Sequence, residues 1–118
     1  MTSPTARTLQ WFRKRGWPAQ VVERWNQYSK TRHDLFGFVD VVAMDPNSGR
    51  LVGVQCTSTG NLRARLHKAQ AISFCTLWQQ HNDVEFHGWA KRGGKGKRKL
   101  WTLRRLDGNG NELENSDA

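Results

Sequence analysis

Residues 37–57 read GFVDVVAMDPNSGRLVGVQCT: two apolar runs, Gly37 to Met44 and Arg50 to Thr57, around a connector of Asp45, Pro46, Asn47, Ser48 and Gly49. Those five residues are turn formers for steric and hydrogen-bonding reasons, so the segment predicts an antiparallel hairpin. Both runs are apolar on both faces, which places them centrally in a covered sheet. If Asp45 pairs with Arg50, antiparallel pairing keeps paired residue numbers summing to 95 and sets Asp40 opposite Gln55. Opposed residues have Cβ atoms about 5 Å apart, and Thr57, two positions along, shares their face at about 7–8 Å. A slip of one residue would send the polar side chains to opposite faces. Burying them without partners would cost about 1–3 kcal/mol each, so the hairpin predicts a use for these groups.

Working outward, Ser3 and Pro4 supply a cap and a first-turn proline for a short basic helix over residues 3–16, with Leu9, Trp11 and Phe12 inward and Gly16 just past its end. Ala19 to Trp25 is β-prone and predicts the first strand, followed by a polar connection from Asn26 to His33. Ser58 to Asn61 can cap a long helix from Leu62 to Gln80, with Leu62, Leu66, Ala69, Ser73 and Leu77 along one face. Val84 to Trp89 and Leu100 to Leu106 predict two closing strands around a basic glycine-rich loop at 91–99. The order α-β-β-β-α-β-β fits an α/β sandwich of two or three layers with a mixed central sheet. One domain is expected over residues 1–106, and an acidic disordered tail over 107–118.

The chain carries 19 Lys and Arg against 10 Asp and Glu. Four of the acids, Asp107, Glu112, Glu114 and Asp117, fall in the last twelve residues, which hold no Lys or Arg. The rest is therefore strongly basic and favours a polyanion such as nucleic acid, since each cation meeting a phosphate releases counterions. Cys56 and Cys75 lie in apolar stretches and predict core thiols, against a disulfide framework or a zinc site. No run reaches the ~18 apolar residues of a membrane span, and the first residues lack the apolar block of a secretory signal. A cytoplasmic protein, of a bacterial or phage-infected cell, is expected.

The segment Asp34-Leu35-Phe36-Gly37-Phe38-Val39-Asp40, followed by Val54-Gln55-Cys56-Thr57-Ser58 and Asn61, resembles the PD-(D/E)XK nuclease superfamily, closest to its small Holliday-junction-resolvase-like and phage-encoded members. The resemblance spans roughly residues 5–90 in element order and implies a restriction-endonuclease-like fold. It implies a divalent ion, Mg²⁺ or Mn²⁺, on Asp40 and on the backbone carbonyl of Cys56, with the acid and lysine of the second strand falling at Gln55 and Thr57. Two departures stand out: Gln55 is neutral, and Thr57 carries no positive charge. Glu23 resembles an extra acid of resolvase-like members, Asp34 offers a second carboxylate, and Lys68 could serve as a relocated lysine. The resemblance also implies a homodimer.

Each residue has a plainer reading. Asp40 could cap a turn or pair with an arginine, Glu23 could sit in a solvated salt bridge, Asp34 could form a turn, Lys68 could be solvated, and Gln55 could bond a backbone group. Trp11, Trp17, Trp25 and Trp78 are expected in the core, while Trp89 could pack there or stack on a base. The four histidines form no metal-ligand spacing. The loop cations Lys91, Arg92, Lys95, Lys97, Arg98 and Lys99, with Arg63 and Arg65 on the helix, suit phosphate contacts and cannot read base edges with fixed geometry. Three functions follow: metal-dependent hydrolysis of DNA phosphodiesters by a resolvase-like nuclease, an inactive nuclease-fold protein that binds nucleic acid through its basic surface, or a basic protein-interaction module acting on an acidic protein.

Overall fold

The computed structural model describes residues 2–115. Helix α1 spans Pro4–Lys14, capped by the Ser3 hydroxyl, which accepts from the Ala6 N–H at 3.1 Å; Gly16 then turns the chain at φ +79°. Among the described residues eight strands follow: β1 (Ala19–Val21), β2 (Arg24–Asn26), β3 (Thr31–His33), β4 (Val41–Met44), β5 (Leu51–Ser58), β6 (Asp83–Arg92), β7 (Leu100–Asp107) and β8 (Glu112–Leu113). Between β5 and β6 lie a 3-10 turn (Thr59–Asn61) and helices α2 (Leu62–Gln70) and α3 (Ser73–Gln79). Among the described residues no helix is long and apolar enough to cross a membrane.

The main sheet has six strands in the order β1-β4-β5-β6-β7-β8; all neighbours are antiparallel except β5 and β6. It is thus a mixed sheet in an α/β protein, and the parallel pair needs the helical crossover that α2 and α3 provide. Val41 pairs with Val54 and Met44 with Leu51, the register expected from the turn. Alternation along β5 splits the core. Val52, Val54 and Cys56 join Val41, Ala43 and Phe12 under α1. Phe38, Val39, Val84, Phe86 and Leu106 gather with Leu62, Leu66, Ala69 and Cys75 under α2 and α3. Gly53 opens this second face, because a Cβ there would come within 3.0 Å of Val39 and 3.1 Å of the Trp78 ring.

Several expectations are corrected. The strand placed at 37–44 begins only at Val41, because Phe36 and Gly37 both take positive φ, 56° and 86°, in a turn where the Phe38 N–H donates to the Leu35 carbonyl. The strand placed at 19–25 breaks at Val22, and Arg24–Asn26 pairs with Thr31–His33 in a separate two-stranded sheet, so the supposed polar connection holds a strand. Trp25 is exposed there, not in the core. The helix placed at 62–80 divides at Ile72, which is extended at φ −91°, ψ 120°. Beyond that break Ser73 and Leu77 are exposed, while Cys75 and Trp78 pack inward.

The first closing strand is longer than expected, running to Arg92 and shortening the basic loop to residues 93–99. The segment expected as a disordered tail from 107 on instead turns at Gly110 and returns as β8 for its described part. There Arg104 holds Glu112, Gln70 donates to the Gly108 carbonyl, and Asn115 donates to the Leu103 carbonyl; residues 116–118 lie outside the described residues. The order is therefore α1, β1 to β5, α2, α3, β6 to β8, with four elements more than the sequence pattern announces.

Candidate functional site

Strand directions put one set of termini together. β1, β5 and β6 end, and β4 and β7 begin, at the same end of the main sheet. Asp40 enters β4 at this end as a backbone junction. Its N–H donates to the Val54 carbonyl at 2.8 Å, and its carbonyl accepts from Val22 at 2.8 Å and Glu23 at 3.3 Å. The two bonds to the carbonyl fix where the chain leaves β1 and carries Glu23. Asp34 arrives just before the Leu35–Val39 turn that leads back into β4.

These arrivals bring Glu23, Asp34 and Asp40 together, with one ligand oxygen from each lying within 4.8 Å of the others. Asp40 is 3 % exposed. Its Oδ2 accepts from Gln55 Nε2 at 2.7 Å and from the Cys56 N–H at 2.8 Å, and the same Gln55 amide nitrogen donates to Asp34 Oδ2 at 3.2 Å. Gln55 therefore uses both its amide hydrogens on carboxylates. Glu23 is held from outside by Arg32 of β3, at 3.2 Å. Burial pushes the Asp40 carboxyl up to about 8, helped by the Asp34 carboxyl beside it and opposed by the Cys56 N–H.

Three hard oxygen donors at this spacing suit Mg²⁺ or Mn²⁺ better than a soft or imidazole-seeking metal. Burial, and to a lesser degree the neighbouring acids, disfavours the charged form of Asp40, and a bound dication would offset both.

The remaining predicted residues are distributed differently. Thr57 is buried two positions beyond Gln55 on the same face. Cys56 meets the cluster through its amide N–H, while its thiol turns to the α1 side, where burial pushes its pKa up. Lys68 is exposed on α2, and among the described residues no hydrogen bond or ion pair joins it to the acids. Arg65 is half-buried, and Arg63 lies near Glu112 at the β8 edge, adding to the larger hold of Arg104 in keeping that carboxyl low. Lys91, Arg92, Lys95, Lys97, Arg98 and Lys99 are all exposed. Their hairpin overhangs the acid-bearing end: Ser58, the last residue of β5, pairs with Trp89, and three further residues of β6 extend beyond it by about 10 Å.

Sequence reasoning did not foresee a buried polar chain on the α1 face. Trp89 Nε1–H donates to Thr8 Oγ1 at 2.9 Å, leaving the Thr8 hydrogen for His87 Nδ1 at 3.1 Å and the His87 Nε2–H for Glu85 Oε1 at 2.8 Å. Arg105 also donates to that Glu85 oxygen at 3.0 Å. Burial holds His87 below its ordinary pKa against the pull of Glu85. Burial alone would raise Glu85, but the His87 bond and the Arg105 charge bring it below its ordinary value. Thr8 and His87 have no exposure, so this Thr-His-Glu order is a structural staple and not a nucleophile site. Its one signal in the sequence is the i, i+2 spacing of Glu85, His87 and Trp89 on one strand face. Also unforeseen is Trp101, with the Arg7 guanidinium 3.8 Å from its ring centre.

No protein-family model, curated protein or solved structure matches this chain.

Proposed function

We propose that the protein is a metal-dependent nuclease that hydrolyses DNA phosphodiesters at the Glu23, Asp34 and Asp40 cluster, with a variant of the PD-(D/E)XK arrangement in a restriction-endonuclease-like fold. The observation that carries the reading is the convergence of three carboxylates and Gln55 at the sheet end over which the basic β6–β7 hairpin projects. The resemblance noted in the sequence adds the order helix, strand, Asp40-bearing strand, turn, strand ending Gln55-Cys56-Thr57 and basic helix.

Glu23, Asp34 and Asp40 would hold the ion, with the Cys56 carbonyl as the further oxygen that the resemblance implies. A divalent ion bound there supplies Lewis-acid polarisation of the scissile phosphate and a water of lowered pKa. The chain's own residues do the positioning. Gln55 locks Asp40 and Asp34 at a fixed separation through its two donors, and the Cys56 N–H fixes the rotamer of Asp40. Arg32 orients Glu23. The exposed cations of the β6–β7 hairpin neutralise phosphates and draw the polyanion to this end of the sheet. Substrate strands reach the chain in the cytoplasm on this reading, and two copies acting as a homodimer would cut both strands.

A second reading, an inactive nuclease fold that binds nucleic acid, is favoured by two observations: among the described residues no hydrogen bond or ion pair joins Lys68 to the acids, and Gln55 contributes no charge. Incubation of labelled linear and branched DNA with Mg²⁺, Mn²⁺ or EDTA separates the two. Cutting that requires the metal and is lost in Asp40→Asn supports the nuclease; salt-sensitive binding with intact DNA under every metal supports the inactive binder.

A further inference from the structure

We infer that the β2–β3 hairpin is a nucleobase-binding arm that takes an unpaired stretch of nucleic acid and lays its backbone beside Asp34. The inference deepens the nuclease reading by naming the substrate feature that its site would favour.

The hairpin contributes nothing to either core cluster. All six of its strand residues are exposed, and it carries Trp25 at 59 % and Tyr28 at 90 % exposure. Rings left this exposed gain only part of the burial energy of a core aromatic, so core packing does not explain them. From Arg24 to His33 the arm holds Arg24, Lys30 and Arg32 and neither Asp nor Glu. Aromatic rings interleaved with cations, with no anion among them, match a single strand of nucleic acid: every base offers a face to stack on, and every linkage offers a phosphate.

The arm is also pre-shaped. Asn26 Oδ1 accepts from the Tyr28 and Ser29 N–H groups at 2.9 and 3.1 Å, the Ser29 and Thr31 hydroxyls meet at 2.6 Å, and Lys30 takes φ +57°. A tip already held in one conformation loses less entropy when a ligand docks. At its base, Arg32 binds Glu23. Between the arm and the Leu35–Val39 turn runs a groove whose walls include Arg24, Trp25, His33, Asp34 and Phe36. Phe36, in the left-handed region at φ +56°, is 54 % exposed, with one side of its ring tilted towards Phe74 and Trp78 at 6.2 and 6.5 Å. A bulky residue held there carries a backbone cost, and about half of its surface stays open to the groove side and solvent. The groove thus joins three aromatic or imidazole side chains to one carboxylate of the acid cluster. A strand stacked on Trp25 and Phe36 passes its sugar-phosphate chain by Asp34.

The test uses the full chain in EDTA, so that it stands apart from cleavage. Fluorescence anisotropy compares a blunt 24-base-pair duplex with the same duplex carrying a central six-nucleotide single-stranded gap, and 2-aminopurine in the gap reports stacking. Wild type should bind the gapped DNA about tenfold more tightly, with 2-aminopurine quenched, since each stacked base is worth roughly a tenfold gain. Trp25→Ala with Tyr28→Ala should abolish the preference and the quenching while leaving duplex binding through the β6–β7 hairpin. Trp25→Phe with Tyr28→Phe should retain both. Equal affinity of wild type for the two DNAs, or a double-alanine variant that keeps the preference, overturns the arm and leaves the hairpin as a protein-docking element. If the preference stands but Mn²⁺ brings no cleavage, the nuclease reading fails and the arm does not.

Discussion

Gln55 and Asp40 face each other across the β4–β5 hairpin, joined by an Nε2–H···Oδ2 bond of 2.7 Å in a buried position. The amide takes the part that a cation or a metal ion would otherwise play, giving donors to two crowded carboxylates. Gln55→Glu would exchange those donors for a fourth anion. Without metal the variant should lose about 1–3 kcal/mol, read as a lower urea midpoint at pH 8. Mn²⁺ should restore it, with a larger stabilisation than wild type shows. A variant equally stable in EDTA, or one that Mn²⁺ does not rescue, would remove the cluster as a cation site.

Asp40→Asn keeps the shape and the acceptor oxygen for the Cys56 N–H while removing the charge. On the nuclease reading, cleavage should fall by at least a hundredfold with DNA binding within twofold of wild type. Gel cleavage and anisotropy on the same DNA check the two halves. Undiminished cutting by the variant would move the chemistry elsewhere.

The raised Asp40 carboxyl makes a signed pH prediction. A group whose pKa climbs from its ordinary value near 4 to about 8 on folding binds its proton more tightly in the folded chain. Its contribution to stability is therefore complete below about pH 4 and is lost as pH rises through about 8. In EDTA, melting temperature should decline across this window, whereas stabilisation by Mn²⁺ should grow, because the ion needs the deprotonated ligand. Asp40→Asn should flatten both trends. Parallel wild-type and variant curves between pH 5 and 9 would contradict the assignment.

Removing the exposed loop cations should act on affinity alone. Replacing Lys95, Lys97, Arg98 and Lys99 with alanine should weaken duplex binding and reduce the slope of log K against log salt by roughly 0.9 for each phosphate no longer neutralised. Thermal stability should stay within about 0.5 kcal/mol, as expected of surface changes. An unchanged salt slope would mean that DNA is gripped elsewhere.

The hairpin and its register were legible because a five-residue turn rich in Asp, Pro, Asn and Gly leaves little freedom in pairing, and the Asp40–Gln55 contact followed from it. So did α1, whose cap, proline and terminal glycine each carry a local signal. The arm was not legible: Trp25 is as β-prone and apolar in a small exposed hairpin as in a core strand, and only tertiary placement separates the two. The division of α2 from α3 was hidden by a stripe that Ser73 continues by spacing but does not bury. Lys91 to Lys99 declared its charge plainly, yet its projection past the acid-bearing end of the sheet depends on β6 outlasting β5, which no local pattern encodes. Thr8 and His87 met through a separation of 79 positions, beyond any local pattern.

That separation carries a consequence for the order of assembly. Glu23, Asp34, Asp40 and Gln55 fall within positions 23–55 and meet through neighbouring antiparallel pairs, of which the β4–β5 hairpin is short enough to close within microseconds. His87 reaches its place only after the crossover has delivered β6 alongside β5, a slower, non-local step. The Thr8 hydroxyl of α1 therefore meets the His87 imidazole only at this later step, although Phe12 of the same helix packs on β4 and β5. Pulse-labelled hydrogen exchange during refolding should find amides that pair β4 with β5 protected before those that pair β5 with β6, and Thr8→Val should speed unfolding while leaving the early protection unchanged.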